Sequence, residues 1–288
     1  MKVWLKPNHY ERRYSRFLLK LVTELRTEIL KQLSAFNVRK DDETDDTKLE
    51  DDSNKIESII ATLLLWWSSR RQNLYVIFGG YFNEINQFND DQFRLVVKSL
   101  TGLVLPSNSL AGYVPGNLTS STQDLINKFG SESDIYRQEL YLSGIKKNWT
   151  TAQQVYIDKV IQESISNTEL ALRNAIVRGV SAKELVPIVD KLLTAIENKV
   201  DRFAKDQVND LDTQLTSKRQ QSIGADGYIW ETRRDERVRG NPDGLYPNAI
   251  PSHFHRQGVT FYWDMPPEGG HPGQAPGCRC SARLKLAK

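Results

Sequence analysis

Cysteine is scarce in this sequence, with two residues in 288, Cys278 and Cys280. Because a single residue separates them, a bridge between them would close a tight, strained ring, and we expect no structural disulfide. Free thiols are typical of proteins that stay in a reducing compartment. A disulfide framework is therefore not expected to hold this fold together.

Long apolar runs are also missing. The best candidate, Ile56–Trp67, is shorter than the roughly 20 residues that a membrane-spanning helix needs, and Arg70 and Arg71 follow it closely. Residues 1–10 include a proline, a histidine and several polar groups before any apolar segment, unlike a cleavable signal peptide. We therefore expect no membrane association and synthesis in a cytoplasm.

A strong net charge is absent too, since the formal charge is +3 and the isoelectric point is about 8.7. Basic residues nevertheless crowd the first forty positions, and an acidic run from Asp41 to Asp52 follows. One interpretation is a solvated helix face joined to an acidic linker at about 41–54. The other is a basic arm that contacts DNA or an acidic protein surface. Under that second interpretation the candidate DNA contacts are Arg12, Arg13, Arg16 and Lys20.

Apolar residues recur at three- and four-residue spacing over much of the chain, which predicts amphipathic helices. The predicted helices are Tyr10–Leu33, Ile56–Gln72, Asp90–Leu100, Thr151–Ile176 and Leu185–Leu215. Gly79 and Gly80 are expected to interrupt the chain, and residues 101–121 form a loop-rich zone. Gly179 is the expected end of one helix, and Ser181 is the expected N-cap of the next.

The pattern changes after Gly224, where apolar residues alternate with polar ones in three short segments. These strand candidates begin at Tyr228, Val259 and Ala282. The sequence thus predicts an α+β protein in which a mainly helical body precedes a small C-terminal β-containing module. We expect a helical region over 1–150, a long helical pair over 151–222 and the β module over 223–288.

The β module carries an ordered succession of motifs. Residues 227–239 read GYIWETRRDERVR and residues 252–258 read SHFHRQG, followed by an aromatic segment, Pro-Gly and Cys-Arg-Cys. In this order, the stretch from Tyr228 to Cys280 resembles the phage Mu F-like minor head proteins. The matching positions are Trp230, Thr232, Asp235, Arg237, Arg239, His253, Gly258, Pro272, Gly273, Cys278, Arg279 and Cys280.

One departure from the family pattern lies between Arg239 and His253, where the segment 240–251 is longer than the resemblance implies. Asp235 stands among several arginines, so bidentate ion pairs that pin a turn are the expected role of its carboxylate. A general base in a hydrolytic site and a partner-binding surface are the alternatives. The neighbouring arginines either pair with local carboxylates or contact phosphates.

The two cysteines and nearby histidines have the ligand types of a zinc site. Zinc knuckles usually use Cys-x-x-Cys, so we expect Cys278 and Cys280 to be small buried apolar groups without a metal or other cofactor. The alternative zinc ligands are Cys278, Cys280, His253 and His271. A further alternative is a histidine-metal nuclease built on His253 and His255.

The resemblance implies a minor head protein of a tailed phage, present in few copies and active in head assembly and DNA packaging or ejection. It also implies as partners the portal protein, capsid or scaffold proteins and possibly viral DNA. The location would be the head interior or portal vertex, after synthesis in the host cytoplasm. No catalytic set of residues is apparent, so we expect no enzyme. The alternatives are a metal-dependent nuclease or hydrolase that uses the module's His, Cys and Asp residues, and a DNA-binding protein.

Overall fold

The computed structural model describes residues 5–34, 46–101, 132–178, 180 and 182–285. Within them the chain forms helices first and a small sheet last. The helices are α1 (Asn8–Ser34), α2 (Asp46–Arg71), α3 (Leu74–Thr101), α4 (Glu132–Arg178) and α5 (Ala182–Ser222). The strands are β1 (Gly227–Glu231), β2 (Thr260–Tyr262) and β3 (Ser281–Leu284), with a 3-10 turn at Phe254–Arg256. This architecture confirms the predicted α+β class.

All five described helices are longer than predicted, α1 by only a few residues. Helix α2 begins at Asp46, so residues 46–54, expected in a linker, are helical, and the Lys55 ammonium pairs with Asp52 at 2.9 Å. Acidic residues near a helix start are favoured by the helix dipole, which explains how an acidic run continues into a helix. Helix α4 begins at Glu132 rather than Thr151, and α5 continues to Ser222.

The expected break at Gly79 and Gly80 does not occur, because α3 runs through both. Buried apolar residues on either side, Phe78, Phe82 and Ile85, keep the helical spacing. Glycine inside a helix costs about 1 kcal/mol relative to alanine, and burial of these large side chains outweighs that cost. The prediction failed because it weighted the glycines above the apolar pattern that surrounds them.

The chain forms two compact units. Unit 2 takes the described residues of 15–79 and 150–203, and unit 1 takes those of 1–14, 80–149 and 204–288. Unit 2 is helical, and its core contains many of the periodic apolar residues of the predicted helices, whereas Val155, Ile188 and Leu192 are exposed. Its buried residues include Leu18, Val22, Leu25, Ile29, Leu63, Trp67, Ile157, Ile161, Val189 and Val200.

Ion pairs of unit 2 lie at the edges of this apolar core. Arg26 of α1 donates from Nε to Asp190 at 2.9 Å and pairs through Nη1 with Glu197 at 3.3 Å, both on α5. The Trp67 indole donates to Asp158 at 2.9 Å. The Arg26 side chain keeps 27% of its exposure, so water screens these pairs in part.

Unit 1 contains a fully buried polar cluster between α3 and α5. The Asn89 side-chain amide donates to the Asp212 carboxylate and to the Thr216 hydroxyl, both at 2.8 Å. The Arg219 guanidinium, 1% exposed, donates to Asn89 and, at 2.6 Å, to Asn86. Most of these buried polar groups are thereby hydrogen-bonded, as burial demands, whereas Arg219 Nε only approaches Asp90, at 3.7 Å. We call Asn86, Asn89, Asp90, Asp212, Thr216 and Arg219 the polar core.

Charged groups inside the polar core shift one another's pKa values. Burial raises the pKa of Asp212, and the Lys6 ammonium, 3.8 Å from its carboxylate, works against that shift. Burial lowers the pKa of Arg219, while nearby Asp90, 3.7 Å from its Nε, opposes the shift. Lys6, two residues before α1, and the C-terminal half of α5 are therefore joined inside one low-dielectric environment.

The sheet belongs to unit 1 and has the order β2-β1-β3, antiparallel throughout. Tyr228 of β1 pairs with Phe261 on one side and with Leu284 on the other. All three predicted strands are confirmed. The central strand is thus the first to appear in the chain, and both of its neighbours follow much later.

Several predictions lie outside the described residues, namely the acidic positions 41–45, the loop zone 102–121, the helix end at Gly179 and the N-cap at Ser181. The proposed boundaries of the three regions stay a prediction. Among the described helices, none combines the length and apolarity that crossing a bilayer requires.

Candidate functional site

Trp230 lies at the centre of the β module and is completely buried. Its ring packs edge-to-face on Phe261, at a centroid distance of 5.6 Å, and on His253, at 5.2 Å. Tyr228, Trp263 and Ala282 belong to the same apolar cluster, as do Ala275 and both cysteines. The motif tryptophan is therefore the core residue of the module and is not available to stack on a ligand.

Thr232 and Gly258 lie near the two ends of the long connection between β1 and β2. The Thr232 backbone N–H and hydroxyl both donate to the Gln257 side-chain oxygen at 2.8 Å. Gly258 has a φ of +78°, which glycine adopts without strain, and its N–H donates to the Trp230 carbonyl at 2.8 Å. Both motif residues thus serve the backbone geometry around Trp230.

Asp235 pairs with Arg279, although four other arginines lie within four residues of it in sequence. Arg279 Nη2 donates to both carboxylate oxygens, at 2.6 and 2.7 Å. The same carboxylate accepts the Arg237 backbone N–H at 3.1 Å. Asp235 therefore ties the turn after β1 to the residue between the two cysteines.

Arg239 holds the segments that carry His253 and the cysteines. Its guanidinium donates to the Pro276 carbonyl at 2.7 Å, and its own carbonyl accepts the backbone N–H groups of His253 and Phe254 at 3.0 Å. The long insert between Arg239 and His253 is thereby closed at its base. The extra length of this insert therefore does not move His253 away from Arg239.

The Pro-Gly motif packs against α5. Gly273 has a φ of +96°, and a Cβ there would lie 2.4 Å from the Thr213 hydroxyl oxygen, so only glycine fits. The Thr213 hydroxyl donates to the Pro272 carbonyl. The Gln220 amide donates to the Ala282 carbonyl at 2.9 Å, which fixes β3 to the same helix.

His253, Cys278 and Cys280 meet in one buried cluster, which we call the HCC cluster. Their ligand-type atoms all lie within 4.8 Å of one another, and each residue is at most 4% exposed. His253 Nδ1 is 3.5 Å from the Cys278 sulfur and 3.7 Å from the Cys280 sulfur. The Gly273 N–H donates to the Cys278 sulfur at 3.2 Å.

The two thiols titrate as a pair. A hydrogen bond from Cys280, helped by His253 and the Gly273 N–H, holds the pKa of Cys278 well below its usual range, although burial opposes this. The pKa of Cys280 is raised, because its proton is held by Cys278 and burial disfavours a second thiolate. The pKa values of the two thiols are thus shifted in opposite directions by their mutual contact.

The other histidines of the module lie elsewhere. His271 Nδ1 is hydrogen-bonded to the Tyr228 hydroxyl at 3.0 Å, and burial lowers the pKa of His271. His255 is exposed. Of the four alternative zinc ligands, the structure brings together three, with His271 outside, and it does not support a pairing of His253 with His255.

A cavity of about 490 Å³ opens on the HCC cluster. All three cluster residues line it, as does Glu11, whose Oε1 is buried without a hydrogen-bond partner among the described residues. The remaining charged lining is mostly basic and consists of Lys205, Asp206, Arg233, Arg237, Arg239 and Arg279. The cavity therefore favours anionic groups at its mouth.

The four basic residues singled out on α1 differ in their surroundings. Arg13 pairs with Glu84 at 2.7 Å, and Lys20 lies 3.9 Å from Glu24. Arg12 and Arg16 are exposed and have no ion pair with any described residue. Whether these side chains contact DNA stays a prediction.

Sequence reasoning missed the polar core altogether. Its α5 members, Asp212, Thr216 and Arg219, follow a helical spacing of four and three residues on a face that is otherwise apolar. A polar stripe of that kind on a long amphipathic helix is the signal that identifies such a cluster. The partner residues on α3 are likewise polar residues of an amphipathic helix.

Comparison with known proteins shows what part of this chain is similar to. Residues 166–283 match the family described as phage Mu protein F like, which confirms the resemblance and extends it upstream through α5 into α4. A Haemophilus influenzae (strain ATCC 51907 / DSM 11121 / KW20 / Rd) protein, titled only as uncharacterized, is 28% identical over 166 residues. That match covers 57% of this chain but 35% of the relative, so the chain spans about a third of its length. No solved structure matches the chain.

Proposed function

We propose that this chain, whose residues 166–283 belong to the phage Mu F-like family, is a minor head protein of a tailed phage. In this role it associates with the portal inside the head and assists head assembly and DNA packaging or ejection. Its partners are the portal protein, capsid or scaffold proteins and viral DNA, and its location is the virion. The family match carries this proposal.

The use of the motif residues supports a structural role. Trp230 packs the core, Asp235 holds Arg279, and Gly273 permits close contact with α5. A residue engaged in such contacts is not a free nucleophile or general base. These three motif residues therefore hold the module together, as the proposed structural role requires.

Surface features of the two units suit an interaction protein. In unit 2, Leu65 is 72% exposed and Val76 is 74% exposed, which offers apolar area for burial against a partner. In unit 1, Arg233 and Arg237 are exposed at the cavity mouth and have no ion pair with any described residue. Such arginines suit contact with phosphates.

The test is co-purification with the portal protein encoded by the same phage. We expect the full chain and the portal to elute together in size-exclusion chromatography, and mass spectrometry of purified heads to detect the chain in few copies. A Leu65→Ser, Val76→Ser double variant should weaken co-elution, whereas Arg233→Gln, Arg237→Gln should not. Heads that lack the chain, together with separate elution, would refute the proposal.

A further inference from the structure

We infer that the HCC cluster is a zinc site, with His253 Nδ1, Cys278 Sγ and Cys280 Sγ as its protein ligands. This inference does not depend on the proposed role in the phage head. It departs from the expectation that the cysteines are only small buried apolar groups. Three observations carry it: the ligand distances, the geometry of the backbone that presents the ligands, and the surroundings of the imidazole.

The distances fit a tetrahedral ion. With Zn–S near 2.3 Å and Zn–N near 2.0–2.1 Å, tetrahedral angles place a sulfur and a nitrogen ligand about 3.6 Å apart. The two sulfur-to-Nδ1 distances in the HCC cluster are 3.5 and 3.7 Å. Both sulfur-to-nitrogen distances thus match the spacing that an ion between these groups requires.

The backbone explains why Cys-x-Cys serves here instead of Cys-x-x-Cys. The two cysteines lie just before β3, and both of their sulfurs are within 3.7 Å of the same imidazole nitrogen. Arg279 between them is held by Asp235. Both sulfurs therefore face His253, which Arg239 positions from the opposite segment through its carbonyl.

The surroundings of the imidazole favour a metal over simple packing. The two sulfurs are the only hydrogen-bond partners that the described residues offer to the His253 ring, because its buried Nε2 has none. Thiols are weak donors and acceptors, so they compensate poorly for burying an imidazole. A bound zinc ion would engage all three groups at once, and two thiolates would neutralise its charge.

The fourth coordination position faces the cavity. No fourth ligand-type side chain joins the HCC cluster among the described residues, and the cavity reaches all three ligands. A water molecule fits this position, as in other sites with three protein ligands. Glu11 lines the same cavity with a buried, unpartnered Oε1, which can accept a hydrogen bond from that water.

The direct test is metal analysis of the full chain. Protein purified from zinc-supplemented medium and dialysed should retain about one zinc ion per chain. Replacement by cobalt(II) should produce a thiolate-to-metal charge-transfer band together with the intense d–d bands of four-coordinate cobalt. A folded wild-type chain that retains no zinc and shows no such band would overturn the inference.

Variants identify the ligands. A Cys278→Ser, Cys280→Ser double variant should lower zinc affinity by more than about 100-fold, since even outer-shell changes cost 10–100-fold. His255→Ala is the matched control, because His255 is exposed two residues from His253, and it should bind zinc like the wild type. Circular dichroism verifies folding of each variant. Unchanged zinc affinity in the folded double-serine variant would show that the ion binds elsewhere and refute the assignment.

Discussion

The two units of this protein use arginine in opposite ways. In unit 2, Arg26 reaches Asp190 and Glu197 at a partly exposed edge of an apolar core. In unit 1, Arg219 is 1% exposed and bonds to neutral amides and a buried acid. A partly exposed ion pair adds little stability to an apolar core. Loss of one partner of a buried guanidinium, in contrast, strongly reduces stability. We therefore expect unit 1 to depend more on Arg219 than unit 2 depends on Arg26.

The largest expected effect follows from removing Arg219. An Arg219→Ala substitution leaves Asp90 and Asp212 buried with fewer partners, and we expect it to destabilise unit 1 by about 3–5 kcal/mol. Hydrogen exchange measured by mass spectrometry on peptides from 204–222 reports this locally. Lys218→Ala, at the exposed neighbouring position, is the control and should leave exchange unchanged. Equal exchange in both variants would remove the contrast between the units.

A smaller effect is expected at Asp235, whose pair with Arg279 is partly exposed at 40% and 34%. An Asp235→Ala substitution should cost roughly 1 kcal/mol in the β module. Because Arg279 lies between the two cysteines, the same change should weaken zinc binding about tenfold. Glu236→Ala is the neighbouring control. A loss of stability without any change in zinc affinity would separate the turn from the HCC cluster.

Removal of the edge pair in unit 2 should cost less than removal of Arg219. We expect Arg26→Ala to destabilise unit 2 by about 1 kcal/mol, and less at high salt because ions screen exposed pairs. Hydrogen exchange of peptides from 15–34 measures this, with Arg16→Ala on the same helix as the control. A loss as large as that of Arg219→Ala would show that both units depend equally on buried charge.

The smallest effect on stability is expected at the cavity mouth. Arg233→Gln, Arg237→Gln should change unfolding free energy by less than about 0.5 kcal/mol. If both arginines contact DNA phosphates, the slope of log affinity against log salt should fall by about 1.8 in magnitude. Fluorescence anisotropy with a labelled duplex at several salt concentrations measures this slope. An unchanged slope would exclude these residues as DNA contacts.

Local pattern predicted most of the fold. Apolar periodicity identified α1 and α5, and alternation identified the three strands, because these signals depend on neighbouring residues alone. The continuity of α3 through Gly79 and Gly80 was missed, since tertiary burial overrides a local breaker. The early start of α4 was missed because its first turns lack the strong apolar spacing seen after Thr151.

The sequence predicted which residues belong to the site, but it did not predict which of them contact one another. The motif residues of the β module were identified from their order, whereas the partner of Asp235 proved to be Arg279, 44 residues away. Arg219 and Asn89 are separated by 130 residues. Contacts between such distant positions depend on how the helices pack, and a single sequence contains no direct record of that packing.

The strand order has a consequence for synthesis of the chain. β1 is central, yet 50 residues separate its Glu231 from the paired Ser281 of β3. At about 5–20 residues per second, a ribosome needs roughly 2–10 s to make that stretch. Throughout this interval Tyr228 and Trp230 have no completed sheet in which to be buried. The sheet of the β module can therefore close only after synthesis of the segment that also contains both cysteines.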